Sequence, residues 1–228
     1  MEYMDHGSLL DLLRNDTMVI DGEVILPILR DISQGMRFLH SASPQVIHGG
    51  MYFHAWFHLL IRLILTIFLS KDLKAANILV DRQFRAKVAD FGLSQKKQLG
   101  GTGTPFWMAP ELLRKEASNS SASDVFSFGV ILIEVYSRKD PYEDEDSAID
   151  ILKEIADKAI QRRPAVPDSC PPHIRSMISD CLVDEAEMRP SFEEIDTRLK
   201  RVDAKAVDVK TRRSRINKTV SLLDIFPP

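Results

Sequence analysis

Asp72-Leu73-Lys74-Ala75-Ala76-Asn77 leads into the apolar run Ile78-Leu79-Val80, and Asp90-Phe91-Gly92 follows a second short run, Ala86-Lys87-Val88. Turn residues separate the two runs, which read as short strands. The first string puts a carboxylate, a cation and an amide on one loop entering a strand. The second puts another carboxylate just past the next strand. Moving a phosphoryl group from ATP to a hydroxyl needs a carboxylate near the acceptor, a cation near the moving phosphate, and oxygen ligands for magnesium. Asp72 can supply the first, Lys74 the second, and Asn77 with Asp90 the third. Gly92 lets the backbone turn sharply after Asp90. Either string alone is weak evidence; their order and the 13-residue step from Asn77 to Asp90 give the pair its weight.

Working outward, Ser8 precedes Leu9, Leu10, Leu12 and Leu13, the pattern of a capped short helix. From Glu23 to His40, apolar residues at Ile25, Ile28, Leu29, Ile32, Met36 and Leu39 recur at three- and four-residue steps, which predicts an amphipathic helix. Val46-Ile47 is a further β-like pair. Phe126 to Tyr136 is almost wholly apolar and predicts a buried helix too short to span a bilayer. Later helices are predicted at Ala148–Gln161, His173–Val183 and Phe192–Val202, with Pro164, Pro167, Pro171 and Pro172 marking an irregular linker. The fold class is α+β, mostly α.

Further along come Gly103-Thr104-Pro105-Phe106-Trp107-Met108-Ala109-Pro110-Glu111, then Asp124-Val125-Phe126-Ser127-Phe128-Gly129, then Arg189-Pro190. With these in place the chain resembles the C-terminal lobe of a protein kinase, from about Met1 to Val202, with an interruption at 50–71. The resemblance implies that Met1 stands at the gatekeeper position and that Glu2-Tyr3-Met4 form a hinge whose backbone binds adenine. It implies ATP and Mg²⁺ as cofactors, with Asp72, Lys74 and Asn77 catalytic and Asn77 and Asp90 on the metal. Glu111 would pair with Arg189 to brace the activation segment, and Asp124 would tie the catalytic loop to the buried helix. Lys74 and the Gly-Thr-Pro run are similar to Ser/Thr-directed or tyrosine-kinase-like kinases, so the expected acceptors are hydroxyls of protein substrates. Of the hydroxyls Ser94, Thr102 and Thr104, Thr102 is a candidate phosphosite, and Thr104 is expected to contact Asp72 and Lys74.

The chain departs from the family at three places. The 228 residues contain no Gly-rich phosphate loop and no strand lysine with its helix glutamate. The N-terminal lobe is therefore expected to be missing from this stretch, which alone would bind ATP poorly. Secondly, His48-Gly49 is separated from Asp72 by 22 residues, Gly50–Lys71. Joined across that gap the motif reads His-Gly-Asp, with glycine where arginine usually answers an activation-segment phosphate. Met51–Leu69 is apolar at 15 of 19 positions. Its Phe, Leu, Ile and Tyr bias favours sequence kept in frame from a retained intron. A surface insertion is the second reading. A membrane span would tear the lobe's core and ranks last, and His54 with His58 lacks the third ligand a metal needs.

The tail is the third departure. Residues 198–228 hold nine Lys/Arg against three Asp/Glu, so a net −3 conceals an acidic body and a basic tail. Residues 203–228 are read as a basic helical linker; without interleaved aromatics it does not point to nucleic acid. Its end, Leu222-Leu223-Asp224-Ile225-Phe226-Pro227-Pro228, resembles the linker between kinase-homology and cyclase domains in receptor guanylate cyclases. That resemblance supplies the alternative function, a catalytically weak regulatory module on the same full-length chain as a cyclase domain. Two cysteines, Cys170 and Cys181, make no disulfide framework and fit a reducing compartment. The expected location is the cytoplasm, or the cytoplasmic side of a membrane receptor.

Overall fold

Ser8 begins the first helix. Its hydroxyl accepts from the Asp11 amide at 3.2 Å, and the Asp11 carboxylate takes the Ser8 amide at 2.9 Å. This reciprocal capping box opens α1 (Leu9–Arg14), which buries Leu9, Leu12 and Leu13. The computed structural model describes residues 4–41, 73–89 and 105–208. Expectations for Met1, Glu2, Tyr3, Val46–Gly49, the 50–71 segment, Asp72, Asp90, Gly92, Ser94, Thr102, Thr104 and the tail beyond 208 fall outside them.

The predicted amphipathic helix is α2 (Gly22–Ser41), longer than the pattern by one residue at each end. Asp21 starts it by accepting the Glu23 and Val24 amides. Ile25, Ile28, Leu29, Ile32 and Met36 line its fully buried stripe. Gly22 has no freedom to carry a side chain, because a Cβ there would lie 1.8 Å from the Ala204 carbonyl oxygen. Ala204–Val207, a 3₁₀ turn at the root of the tail, packs on this helix and buries Val207.

β1 (Ile78–Val80) and β2 (Ala86–Val88) form an antiparallel hairpin in the register Ile78↔Val88, Leu79↔Lys87 and Val80↔Ala86. The turn is closed by the Asp81 carboxylate, which accepts the Gln83 and Arg85 amides. Asp31 of α2 clamps the hairpin, taking Arg85 through both Nε and Nη2 at 2.7 Å and the Ala86 amide at 2.9 Å. The hairpin's position relative to α2 is thereby fixed.

After α3 (Pro110–Leu113) comes α4 (Ser121–Ser137), which is buried continuously from Ser123 to Tyr136. A helix apolar on all sides must be surrounded, and α4 is the axis of the core. Phe128 and the Phe192 ring meet edge to face at 5.5 Å, and Phe192 meets His40 at 5.2 Å, so α2, α4 and α7 (Phe192–Lys200) share one aromatic contact. Between them lie α5 (Ala148–Ala156) and α6 (Pro172–Cys181). Gly129 lets α4 approach α6, since a Cβ there would sit 2.8 Å from Cys181 Cβ and 2.9 Å from Leu182 Cδ2. Gly129→Val is therefore expected to lower the urea unfolding free energy by about 1–3 kcal/mol through overpacking.

Three predicted helices end earlier than their patterns, α6 stopping at Cys181 rather than Val183. α5 stops at Ala156 rather than Gln161, because the Asp157 carboxylate turns back to take the Ala159 amide at 2.7 Å. α7 stops at Lys200, where the Arg30 guanidinium of α2 takes the carbonyls of Leu199 and Val202. The basic stretch from Arg198 is thus not one continuous helix. Among the described residues no helix is long and apolar enough to cross a membrane.

Candidate active site

Leu73, 1% exposed, anchors the described part of the Asp72–Asn77 loop in the core. Lys74 is extended, at φ −152° and ψ 162°, and Ala75–Asn77 make one 3₁₀ turn. The Asn77 amide donates to the Lys74 carbonyl at 2.9 Å, and the Asn77 carbonyl accepts the Ala89 amide at 2.8 Å. The hairpin therefore carries the chain from Asn77 back alongside itself to Ala89, the residue before Asp90. Lys74 and Asn77 are both half-buried. The Asn77 side chain offers an oxygen of the type a hard divalent cation takes. It fits a magnesium ligand.

Met4, expected at the hinge, lies beside the same hairpin. Its carbonyl accepts the Gly7 amide at 3.0 Å, His6 donates to the Val80 carbonyl at 3.1 Å, and the Val80 amide donates to Gly7 at 2.9 Å. The strand carrying Asn77 is thus stitched to the segment 4–8.

Distant parts of the chain meet at α4. Glu111 and Arg189, 78 positions apart, form a parallel two-bond pair with both N···O distances at 2.8 Å. Arg189 also donates to the carbonyls of Val183, Ala122 and Asp184. All five of its N–H donors are used, and its side chain is wholly buried. Its guanidinium lies 5.2 Å from the Phe126 ring centre. Asp124 meets the His40 Nε2 at 2.9 Å, with both side chains largely shielded. Burial raises the Asp124 carboxyl against the His40 hydrogen bond that lowers it. The side-chain partner of Asp124 is His40, whereas Asp72, at the start of the loop it was expected to tie down, lies outside the described residues.

His40 and Glu134 are the two site residues that motif reading passed over. Glu134, 2% exposed, accepts the Trp107 indole N–H at 2.6 Å. It ties α4 to the segment 105–113. Its Oε1 is buried without a hydrogen-bond partner among the described residues. Burial pushes its carboxyl up to about 7, against the lowering effect of the indole. Its signal in the sequence was a lone charge within the apolar run Phe126–Tyr136. Ser127 Oγ also donates to the Trp107 carbonyl at 2.8 Å, and the Phe106 and Tyr142 rings lie 5.1 Å apart.

The family model described as "Protein tyrosine and serine/threonine kinase" matches residues 65–199. The chain belongs to this kinase family. Dual specificity protein kinase shkA of Dictyostelium discoideum is 34% identical over 202 residues, covering 82% of this chain and 34% of the relative. Probable serine/threonine-protein kinase pats1 of the same organism is 36% identical over 207 residues, covering 87% of this chain but 6% of its own length. Serine/threonine-protein kinase CTR1 of Arabidopsis thaliana is 34% identical over 199 residues, covering 84% and 21% respectively. This kinase chain thus spans about a third or less of these relatives' own length. Kinases of this family use ATP and magnesium in general and act on protein. The described residues form a small hairpin beside a helical core, as in a kinase-like fragment, with Glu111 and Arg189 joined.

Proposed function

We propose that the chain is the substrate-binding lobe of an ATP-dependent protein kinase that phosphorylates Ser/Thr hydroxyls. The hydrogen bond from the Ala89 amide to the Asn77 carbonyl carries the reading, because it sets the strand leading to Asp90 against the turn that bears Asn77. Asp72 orients the acceptor hydroxyl, Lys74 faces the transferred phosphoryl group, and Asn77 and Asp90 hold magnesium. Magnesium supplies charge neutralisation on the nucleotide phosphates. Glu2 and Met4 carry the hinge backbone that meets adenine. His48 and Gly92 shape the catalytic loop and the turn after Asp90, while Glu111, Asp124 and Arg189 hold the lobe beneath them. The relatives' names, Ser/Thr or dual-specificity kinases, support hydroxyl acceptors on protein.

The full-length chain is the material for the test. It is incubated with labelled ATP, magnesium and a basic acceptor protein, beside Asp90→Ala of the same chain. Incorporation that the Asp90→Ala variant loses is the expected result. Equal incorporation by both chains removes the catalytic assignment and leaves the regulatory kinase-homology reading.

A further inference from the structure

We propose that Asp184, gripping Arg114 and Arg163, is a second latch that positions the segment 105–113 for protein substrate, separate from the Glu111–Arg189 pair. The proposal rests on the protein-kinase reading, in which Glu111 with Arg189 braces the activation segment of a substrate-binding lobe. The segment contains one helical turn, α3, far below the length at which a helix holds itself. Its position is therefore set by side-chain anchors. Three such anchors act at positions 107, 111 and 114: Trp107 to Glu134, Glu111 to Arg189, and Arg114 to Asp184.

Arg114 caps the C-terminus of α3. Its Nη1 and Nη2 reach the two Asp184 carboxylate oxygens at 3.3 and 3.2 Å. It also donates to Glu116 at 2.8 Å and to the Ala156 carbonyl, at the end of α5, at 3.1 Å. Asp184 is shared: Arg163 donates to its Oδ1 at 3.3 Å, while its backbone carbonyl accepts Arg189 at 3.0 Å. Arg163 is itself fixed by donating to the Leu182 carbonyl at 2.9 Å and lies 5.2 Å from the Phe126 ring centre. The Arg114 and Asp184 side chains are 14% and 6% exposed, so the pair is shielded far better than a surface ion pair. Three guanidiniums thus converge on one residue that joins α6 to α7. Loosening Arg114 frees the C-terminal end of the segment, while Trp107 remains held to Glu134. Asp184 and Arg114 act through the segment and are positioning residues.

The test uses the full-length chain with Asp184→Asn, Arg114→Met and the double variant. Asp184→Asn is expected to raise KM for the protein acceptor about tenfold, equivalent to about 1.4 kcal/mol of lost positioning. The kcat and the KM for ATP stay within about twofold, the pattern of lost uniform substrate binding. The double variant raises KM no further than either single change, and hydrogen exchange quickens at amides 105–116. Equal losses in kcat, ATP KM and acceptor KM would mark a merely structural role and overturn the proposal, as would additive effects of the two changes. Where Asp184→Asn fails to fold, Arg114→Met alone decides: unchanged exchange at 105–116 sinks the latch. If the unaltered full-length chain transfers no phosphate to any acceptor, the kinase reading fails, and the exchange measurement still judges the latch.

Discussion

Arg189→Met is expected to lower the unfolding free energy by about 3–5 kcal/mol, because it breaks a buried ion pair by removing one partner. The Glu111 carboxylate would stay buried, at 7% exposed, with no cation beside it. The carbonyls of Val183, Ala122 and Asp184 would lose their shared donor in the same step. Leaving a buried acceptor unsatisfied costs more than the net worth of the bond that satisfied it. Replacing both partners at once, as Glu111→Leu with Arg189→Met, removes the stranded charge and is expected to be milder than Arg189→Met alone. Urea unfolding of the three chains, read at one pH and protein concentration, gives the comparison. A single variant within about 1 kcal/mol of the unaltered chain would mean that the pair is a weak surface-type contact.

The parts of this lobe that sequence reading reached are those written in local patterns. The α2 stripe, the Ser8 cap and the two hairpin strands each follow from residues within one element, so period and capping rules found them. The apolar run from Phe126 to Tyr136 was legible as buried for the same reason. Glu111 and Arg189 were paired through family motifs, since nothing local links positions 78 apart. Arg114 and Asp184, 70 apart, carry no motif and were invisible until the fold brought them together. His40 was read only as the end of a helix, because its role depends on Asp124 arriving from 84 residues away. The overlong limits for α5 and α7 have a related cause: what stops α7 is Arg30 on another helix, which no pattern within α7 could disclose.

Glu134 shows what burial alone can do to a group that no motif flagged. Its carboxyl is held at about 7, against an ordinary value of 4.5, chiefly because α4 keeps it out of water. Between those two values the folded chain binds more protons at this residue than the unfolded chain does. Stability therefore falls as pH rises from about 4.5 to about 7 and levels off above, with a full span of about 3 kcal/mol. Asp124, near the start of the same helix, is raised by the same cause and adds a slope of the same sign, so the pH profile of the unaltered chain alone cannot isolate Glu134. Glu134→Gln can, because the amide does not titrate and its oxygen still accepts the Trp107 indole. The variant's stability relative to the unaltered chain is expected to rise by about 3 kcal/mol between pH 4.5 and pH 8, whatever the offset at the acidic end. Paired urea titrations at several pH values measure that difference directly. A constant gap across the range would mean that the Glu134 carboxyl is as ionised in the fold as in water, and that its buried Oε1 has found a donor.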